Sequence, residues 1–275
     1  MNRQPVGVFD SGVGGLSVLR EIRARLASEN LLYVADSANV PYGDKPPAFV
    51  RARAIALTQF LLDQGAKAIV VACNTATAIA IAALRARFTV PIVGMEPAVK
   101  PATTSTRAGS IGVLATGSTL TSERFAGLLA RFGGGVEVHV QPCPALVEQV
   151  ERGALTDEAT RTLVKEYVTP LLDRGVDTIV LGCTHYPFLR ALIAEVAGPS
   201  VEIIDPNPAV ARELQRQLDR ARLRSPTDRS GTATFWTSAE PENAKRVMSQ
   251  LWGEDMTILR LPELTPEHVD RRLVE

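Results

Sequence analysis

The chain has 275 residues, 45% apolar and 22% charged, with 30 Lys plus Arg against 30 Asp plus Glu and no formal net charge. A globule of this size buries roughly three quarters of its unfolded surface and needs neither disulfide nor metal to hold together. Charge balance without a Lys/Arg run argues against a nucleic-acid partner, and the longest apolar stretches, such as Ala68 to Cys73, are too short to cross a membrane. The start, Met1-Asn2-Arg3-Gln4-Pro5, runs straight into a strand-like segment and reads as having no secretory leader. Three cysteines, an odd number beside an ample core, point to free thiols in a reducing cytoplasm.

In chain order, β-branched runs alternate with helical patterns. Val6 to Phe9 reads as a strand and Leu16 to Ala27 as a helix, then Leu31 to Ala35 as a strand and Ala48 to Gln64 as a helix. Strand Ala68 to Ala72, helix Thr77 to Phe88 and strand Pro91 to Gly94 follow. Ile111 to Ala115 and Val136 to Val140 are strands separated by a helix over Leu120 to Phe132. A helix over Asp157 to Asp173 leads to strand Thr178 to Gly182, helix Phe188 to Ala197 and strand Val201 to Ile204. From Ala209 a tail adds a helix, a strand near Ala233 to Thr237, a helix after Pro241 and a strand near Thr257 to Leu261. Continuously apolar strands alternating with helices predict an α/β fold, with mainly parallel sheets covered by helices on both faces.

The chain also repeats itself. Val6-Gly7-Val8-Phe9-Asp10-Ser11-Gly12 aligns with Ile111-Gly112-Val113-Leu114-Ala115-Thr116-Gly117 at an offset of 105. Asp63-Gln64-Gly65 and Ala68 to Cys73 align with Asp173-Arg174-Gly175 and Thr178 to Cys183 at an offset of 110. Two ordered matches at nearly one offset predict a duplicated unit, joined across Glu96 to Ser110, which holds two prolines and a Ser/Thr cluster. The expected domains are 1–97 with 209–275, and 98–208.

Cys73 and Cys183 end equivalent strands of the two halves, at the sheet end where ligands and helix N-termini meet. Asn74-Thr75-Ala76-Thr77 and Thr184-His185-Tyr186-Pro187 supply small or hydroxylic residues able to cap the next helix, so each thiol feels a positive helix end that favours thiolate. A lone cysteine is most often buried core. Equivalent placement in a duplicated unit instead suits one proton acceptor and one proton donor on opposite faces of a carbon. Cys143, in Pro142-Cys143-Pro144, has no repeat counterpart and reads as core; no third or fourth ligand stands at zinc spacing, so no metal is expected.

The turn Asp10-Ser11-Gly12-Val13-Gly14-Gly15-Leu16-Ser17 either offers N–H groups to a small anion such as a carboxylate or merely turns tightly. As a dinucleotide fingerprint it is imperfect: Asp36 stands 24 residues after Gly12, but Ser17 takes the third glycine position. Asp36 to Asp44, an Asx- and Pro-rich loop at the same end, is an ordinary connection or a group that orients an amino acid's charges. His185 either supports the Cys183 proton or satisfies a helix terminus, and Glu148 lies on a helical turn past the fifth strand.

Together these residues resemble the cofactor-independent glutamate racemases of the aspartate/glutamate racemase superfamily. Val8 to Leu16, Tyr33 to Gly43, Ala72 to Thr77 and Leu181 to Pro187 look like four of its motifs in order, and the resemblance runs from about Val6 to Pro208. It implies two pseudo-symmetric α/β domains with the active site in the cleft between them, and no cofactor. Cys73 would take the proton from D-glutamate and Cys183 from L-glutamate. Asp10 and His185 would assist the thiols, with Glu148 near Cys183. Asp10, Ser11, Tyr42, Gly43, Asn74, Thr75, Thr184 and His185 would hold the substrate. The implied product, D-glutamate, feeds peptidoglycan synthesis, and a homodimer is expected. Asp205-Pro206-Asn207-Pro208 departs from the small Ser/Gly turn usual there, and Met95-Glu96-Pro97 is a variable hinge. A nucleotide-dependent enzyme and a non-catalytic binding module are the rival classes; neither accounts for a thiol at both repeat positions.

Overall fold

The computed structural model describes residues 3–226 and 229–264. Met1 and Asn2, part of the start read above for a secretory leader, and the tail beyond residue 264 lie outside the described residues. In chain order the elements are β1 (Val6–Asp10), α1 (Leu16–Arg25), β2 (Leu31–Ala35), α2 (Pro47–Asp63), β3 (Ala68–Val71), α3 (Asn74–Arg87) and β4 (Ile92–Val93). Next come α4 (Val99–Ser105), β5 (Ser110–Ala115), α5 (Gly117–Leu120), α6 (Glu123–Phe132), β6 (Glu137–Pro142), α7 (Pro144–Arg152) and α8 (Glu158–Leu172). The chain continues through β7 (Thr178–Gly182), α9 (Arg190–Ala197), β8 (Glu202–Ile204), α10 (Asn207–Arg220), β9 (Ala233–Thr237), α11 (Pro241–Trp252) and β10 (Ile258–Arg260). Two compact units result, Met1–Met95 with Asn207–Glu275, and Glu96–Pro206.

The first unit holds a six-stranded sheet in the order β10-β9-β2-β1-β3-β4, and the second a four-stranded sheet in the order β6-β5-β7-β8, with every described pairing parallel. Parallel strands need crossover helices, which cover both faces and demand strands apolar throughout. Every residue of β1, β3, β5 and β7 is accordingly buried. In the first unit α2 packs on α3, and α1 on α10 and α11; in the second α4 packs on α6 and α8 on α9.

The order 2-1-3-4 recurs as 6-5-7-8, and the register recurs with it. Gly7 pairs with Ile69 and Leu32; Gly112 pairs with Ile179 and His139. A Cβ on Gly7 would stand 3.0 Å from Leu61 Cβ and 3.2 Å from Ala66 Cβ, and one on Gly112 would stand 2.8 Å from Leu171 Cδ1 and 3.3 Å from Val176 Cγ1. Leu171 and Val176 are Leu61 and Ala66 advanced by the same 110 residues. One helix-to-strand contact is therefore built twice.

Three expectations shift. The single helix over Leu120 to Phe132 is two, because Ser122 Oγ accepts the Phe125 N–H at 3.1 Å and starts α6 afresh. The junction Glu96 to Ser110 contains α4, whose Val99 and Ala102, one turn apart, enter the core of the second sheet. The third helix begins at Asn74 rather than Thr77, because Cys73 caps it.

At the amino ends of the first sheet's strands, the buried Lys67 Nζ and Glu29 Oε2 pair at 2.6 Å. Ser225 completes that cluster, its Oγ donating to Glu29 Oε2 at 2.7 Å and its N–H to Glu29 Oε1 at 2.8 Å. Asn207, in the turn Asp205-Pro206-Asn207-Pro208, is buried at the start of α10 and donates to Ser17 Oγ at 2.9 Å.

Candidate active site

Cys73 follows β3, and its Sγ accepts the Ala76 N–H at 3.4 Å. Helix caps usually carry an oxygen; a sulfur there sits at the positive helix end, where negative charge is stabilised. The thiol donates to Ser11 Oγ at 3.7 Å, and Ser11 Oγ donates to Asp10 Oδ1 at 3.2 Å. Asp10, fully buried, accepts the Ser11 N–H at Oδ1 and the Gly15 N–H at Oδ2, each at 2.6 Å. Only glycine fits at 15, since a Cβ would stand 2.7 Å from Asp10 Cβ and 3.0 Å from Tyr33 Oη. The carboxylate around which this glycine turn closes is the chain's own.

Asn74 and Thr75 are buried in the first turn of α3. Neither amide atom of Asn74 has a hydrogen-bond partner among the described residues, a cost few buried side chains carry without a ligand or water to meet it. Tyr42 and Gly43 lie in a 3-10 turn, Tyr42–Asp44. The Tyr42 hydroxyl donates to Asp36 Oδ2 at 2.6 Å. Burial and the Asp36 charge hold the phenol well above its ordinary range.

In the second unit Cys183 follows β7, and its Sγ lies 3.7 Å from His185 Nδ1. His185 Nε2 lies 2.7 Å from Glu151 Oε1. Burial alone would lower the imidazole's pKa; the hydrogen bonds and charges of Cys183 and Glu151 outweigh it and hold His185 well above its ordinary value. Thr184 is buried beside it. Glu148 does not join this group: it is exposed and pairs with Arg152 at 3.5 Å. The carboxylate at His185 is Glu151, which sequence reasoning missed. Its signal was present, because Leu146, Val147 and Val150 mark the buried stripe of α7, and at 100° per residue Glu151 borders that stripe while Glu148 lies opposite.

Cys143 is fully buried and donates to the Gln141 carbonyl at 3.2 Å. Burial, with the Cys183 charge adding to it, pushes its thiol far up, so it stays protonated. It does have a repeat counterpart, of another residue type. Cys143 N–H bonds the Ala115 carbonyl as Asp36 N–H bonds that of Asp10, each at 3.0 Å.

Cys73 and Cys183 thus each head a two-step path to a carboxylate, Cys73–Ser11–Asp10 and Cys183–His185–Glu151. The companions come from different places in the repeat, since Asp10 and Ser11 correspond to Ala115 and Thr116, and His185 to Thr75. Among the described residues no cluster of three or more His, Cys, Asp or Glu is arranged for a metal ion.

The Asp/Glu/hydantoin racemase family model matches residues 7–214. The chain belongs to that family. Among its relatives, glutamate racemase of Pseudomonas aeruginosa is 55% identical over 257 residues, 93% of this chain and 97% of that one. Glutamate racemase of Methylococcus capsulatus is 56% identical over 95% of this chain and 96% of its own. Among solved structures, a glutamate racemase isoform from Bacillus anthracis superposes with a TM-score of 0.87 at 31% identity, covering 95% of this chain and 98% of that one. The Francisella tularensis glutamate racemase with D-glutamate gives 0.82 at 30% identity over 96% and 99%. The Escherichia coli glutamate racemase with L-glutamate and the activator UDP-MurNAc-ala gives 0.81 at 31% over 94% and 97%. The racemase match covers both thiol-bearing strands and ends within α10, leaving β9, α11 and β10 outside it. No helix among the described residues is long and apolar enough to cross a membrane.

Proposed function

We propose that this family member interconverts L- and D-glutamate without a cofactor, Cys73 and Cys183 serving the two faces of the α-carbon. It is an isomerase, and its D-glutamate supplies peptidoglycan synthesis. Relatives more than half identical along nearly the whole chain are glutamate racemases, which supports glutamate as substrate, as do the glutamate complexes of two structural relatives. The observation that carries the two-base reading is register. Cys73 and Cys183 stand at the same place after matching strands, each beside a buried path to a carboxylate.

Running from D-glutamate, the Cys73 thiolate takes the α-proton and the C–H electron pair passes to the carbanion. The Cys183 thiol then gives a proton to the opposite face, leaving Cys183 as thiolate; the reverse run starts there. The α-proton is weakly acidic, so preorganised donors must hold the developing charge. Asp10 and His185 assist the two thiols, and Glu151, rather than the Glu148 expected near Cys183, supports His185. Ser11, Tyr42, Gly43, Asn74, Thr75 and Thr184 hold the substrate's charged groups, with the unpartnered Asn74 amide supporting that role. The two thiol-bearing units act as the two domains of one enzyme, a cytoplasmic homodimer whose assembly sedimentation can check.

Proton NMR with L-glutamate in D₂O, followed by chiral analysis, tests the reading. The α-proton signal should vanish as D-glutamate accumulates, and Cys73→Ala and Cys183→Ala should each lower turnover by at least about a thousandfold. Near-normal turnover in either variant would refute the two-base assignment, and exchange with L-aspartate alone would change the substrate.

A further inference from the structure

The sequence leaves Asp36 in a loop that is either an ordinary connection or a group that orients an amino acid's charges; in the structure its carboxylate is completely buried and saturated by the chain's own donors. Arg53, on α2, reaches it with two donors, Nε to Oδ2 at 3.0 Å and Nη2 to Oδ1 at 2.7 Å. Asn39 Nδ2 adds a third at 3.0 Å, and Tyr42 Oη a fourth at 2.6 Å. The Asp36 backbone N–H bonds the Asp10 carbonyl at 3.0 Å, so this hub also hangs on the strand end that carries the Cys73 path.

Two consequences follow for the turn Tyr42–Asp44. Tyr42 has spent its hydroxyl proton on Asp36, so it can offer a ligand only its ring, its oxygen lone pairs and its backbone. It also sits in one apolar cluster with Cys73 and Ala76, and the turn rests on α3, the helix that Cys73 caps. A change in where Tyr42 stands is therefore felt at the thiol and at the proposed substrate-binding backbone together.

We infer that Arg53 is a positioning residue of the racemase: through its two-pronged grip on Asp36 it holds the Tyr42–Asp44 turn in place beside Cys73. The inference rests on the proposed function, because the turn matters only if it binds substrate. Arg53 touches neither Cys73 nor the turn's backbone in any described hydrogen bond; it acts through the Asp36 carboxylate and through the Tyr42 hydroxyl, with which its guanidinium also interacts. A planar fork suits that task better than an ammonium, which offers a point charge without fixed direction.

The test compares wild type, Arg53→Met, Arg53→Lys and Asp36→Asn by racemisation kinetics in both directions and by isotope effects with α-deuterated D- and L-glutamate. Arg53→Met should raise KM about tenfold or more while kcat falls less, since ground-state and transition-state holding are lost together. The isotope effect should grow more for D-glutamate, where Cys73 is the base, than for L-glutamate. Arg53→Lys should recover part of the KM change, and Asp36→Asn should reproduce it. A merely structural lesion lowers the active fraction, reducing kcat with KM and both isotope effects unchanged; that result overturns the inference. If Arg53→Met does not yield folded protein, the same KM and isotope comparison on Arg53→Lys decides, and wild-type values there overturn it equally. Wild-type protein that fails to exchange the α-proton of glutamate refutes the function itself, and with it the inference.

Discussion

His185 shows how one side chain can be set by two neighbours. With Cys183 on one ring nitrogen and Glu151 on the other, it carries a proton well above the usual imidazole range. A histidine whose native pKa is raised contributes stability that is complete below its unfolded pKa of about 6.5 and is lost as pH rises through the native value. Glu151→Gln should therefore lower the melting temperature most near and below neutrality, with the gap to wild type closing at alkaline pH. The same variant should move the His185 ring-proton titration downward and slow racemisation about 10- to 100-fold, while Glu148→Gln, at an exposed position paired with Arg152, should leave both near wild type. NMR titration and paired melts over pH distinguish the two glutamates. The sequence marked both thiols and His185, because a strand-end cysteine followed by capping residues is a local pattern. Glu151 lies 32 positions before Cys183, and its meeting with His185 is made by packing of α7 on the turn at Tyr186–Leu189, which no local pattern reports. Asp36 stands out in the sequence only by its place after a strand, and its grip by Arg53 is likewise a tertiary fact.

Among the elements, strands were the most legible, because fully buried parallel strands leave long apolar runs with little else that could produce them. Helix starts were less so. Cys73 as a cap hides the start of α3 from a search for Ser, Thr, Asp or Asn, and α4 was masked by its Ser/Thr content and by Pro101, although Val99 and Ala102 keep helical spacing. The turn after α4 offers a clean measurement. Asp177 accepts Thr106 Oγ1 at 2.6 Å and the N–H groups of Arg107 and Ala108, each at 2.7 Å. Desolvation opposes its charge, but these donors win and bring its pKa down to about 2. A depressed carboxylate stabilises the fold above its unfolded pKa of about 3.9, and that stability is lost as pH falls through the native value. Asp177→Asn should cost about 1–2 kcal/mol at neutral pH, measured by urea unfolding, and the difference should vanish in strong acid.

For the whole molecule, the repeat seen as two short alignments proves to be a repeat of strand order, register and one helix contact. The copies are not placed end to end. The unit Glu96–Pro206 is threaded between Met95 and Asn207 of the other, whose sheet is completed by β9 on the free side of β2. The excised 96–206 segment, whose four strands and apolar clusters are contiguous in sequence, should give a cooperative melt by circular dichroism. The segment 1–95 alone, without its partner strand for β2, should not. On the ribosome this threading imposes a timetable. The inner unit is complete while the outer one still waits for residues 233–237 to emerge. Until then β2 presents an unpaired parallel edge, a template for wrong partners. A nascent chain that pauses anywhere in the inner unit therefore holds the outer half open for as long as the pause lasts, and chaperone demand should track elongation rate through that stretch more than through any other.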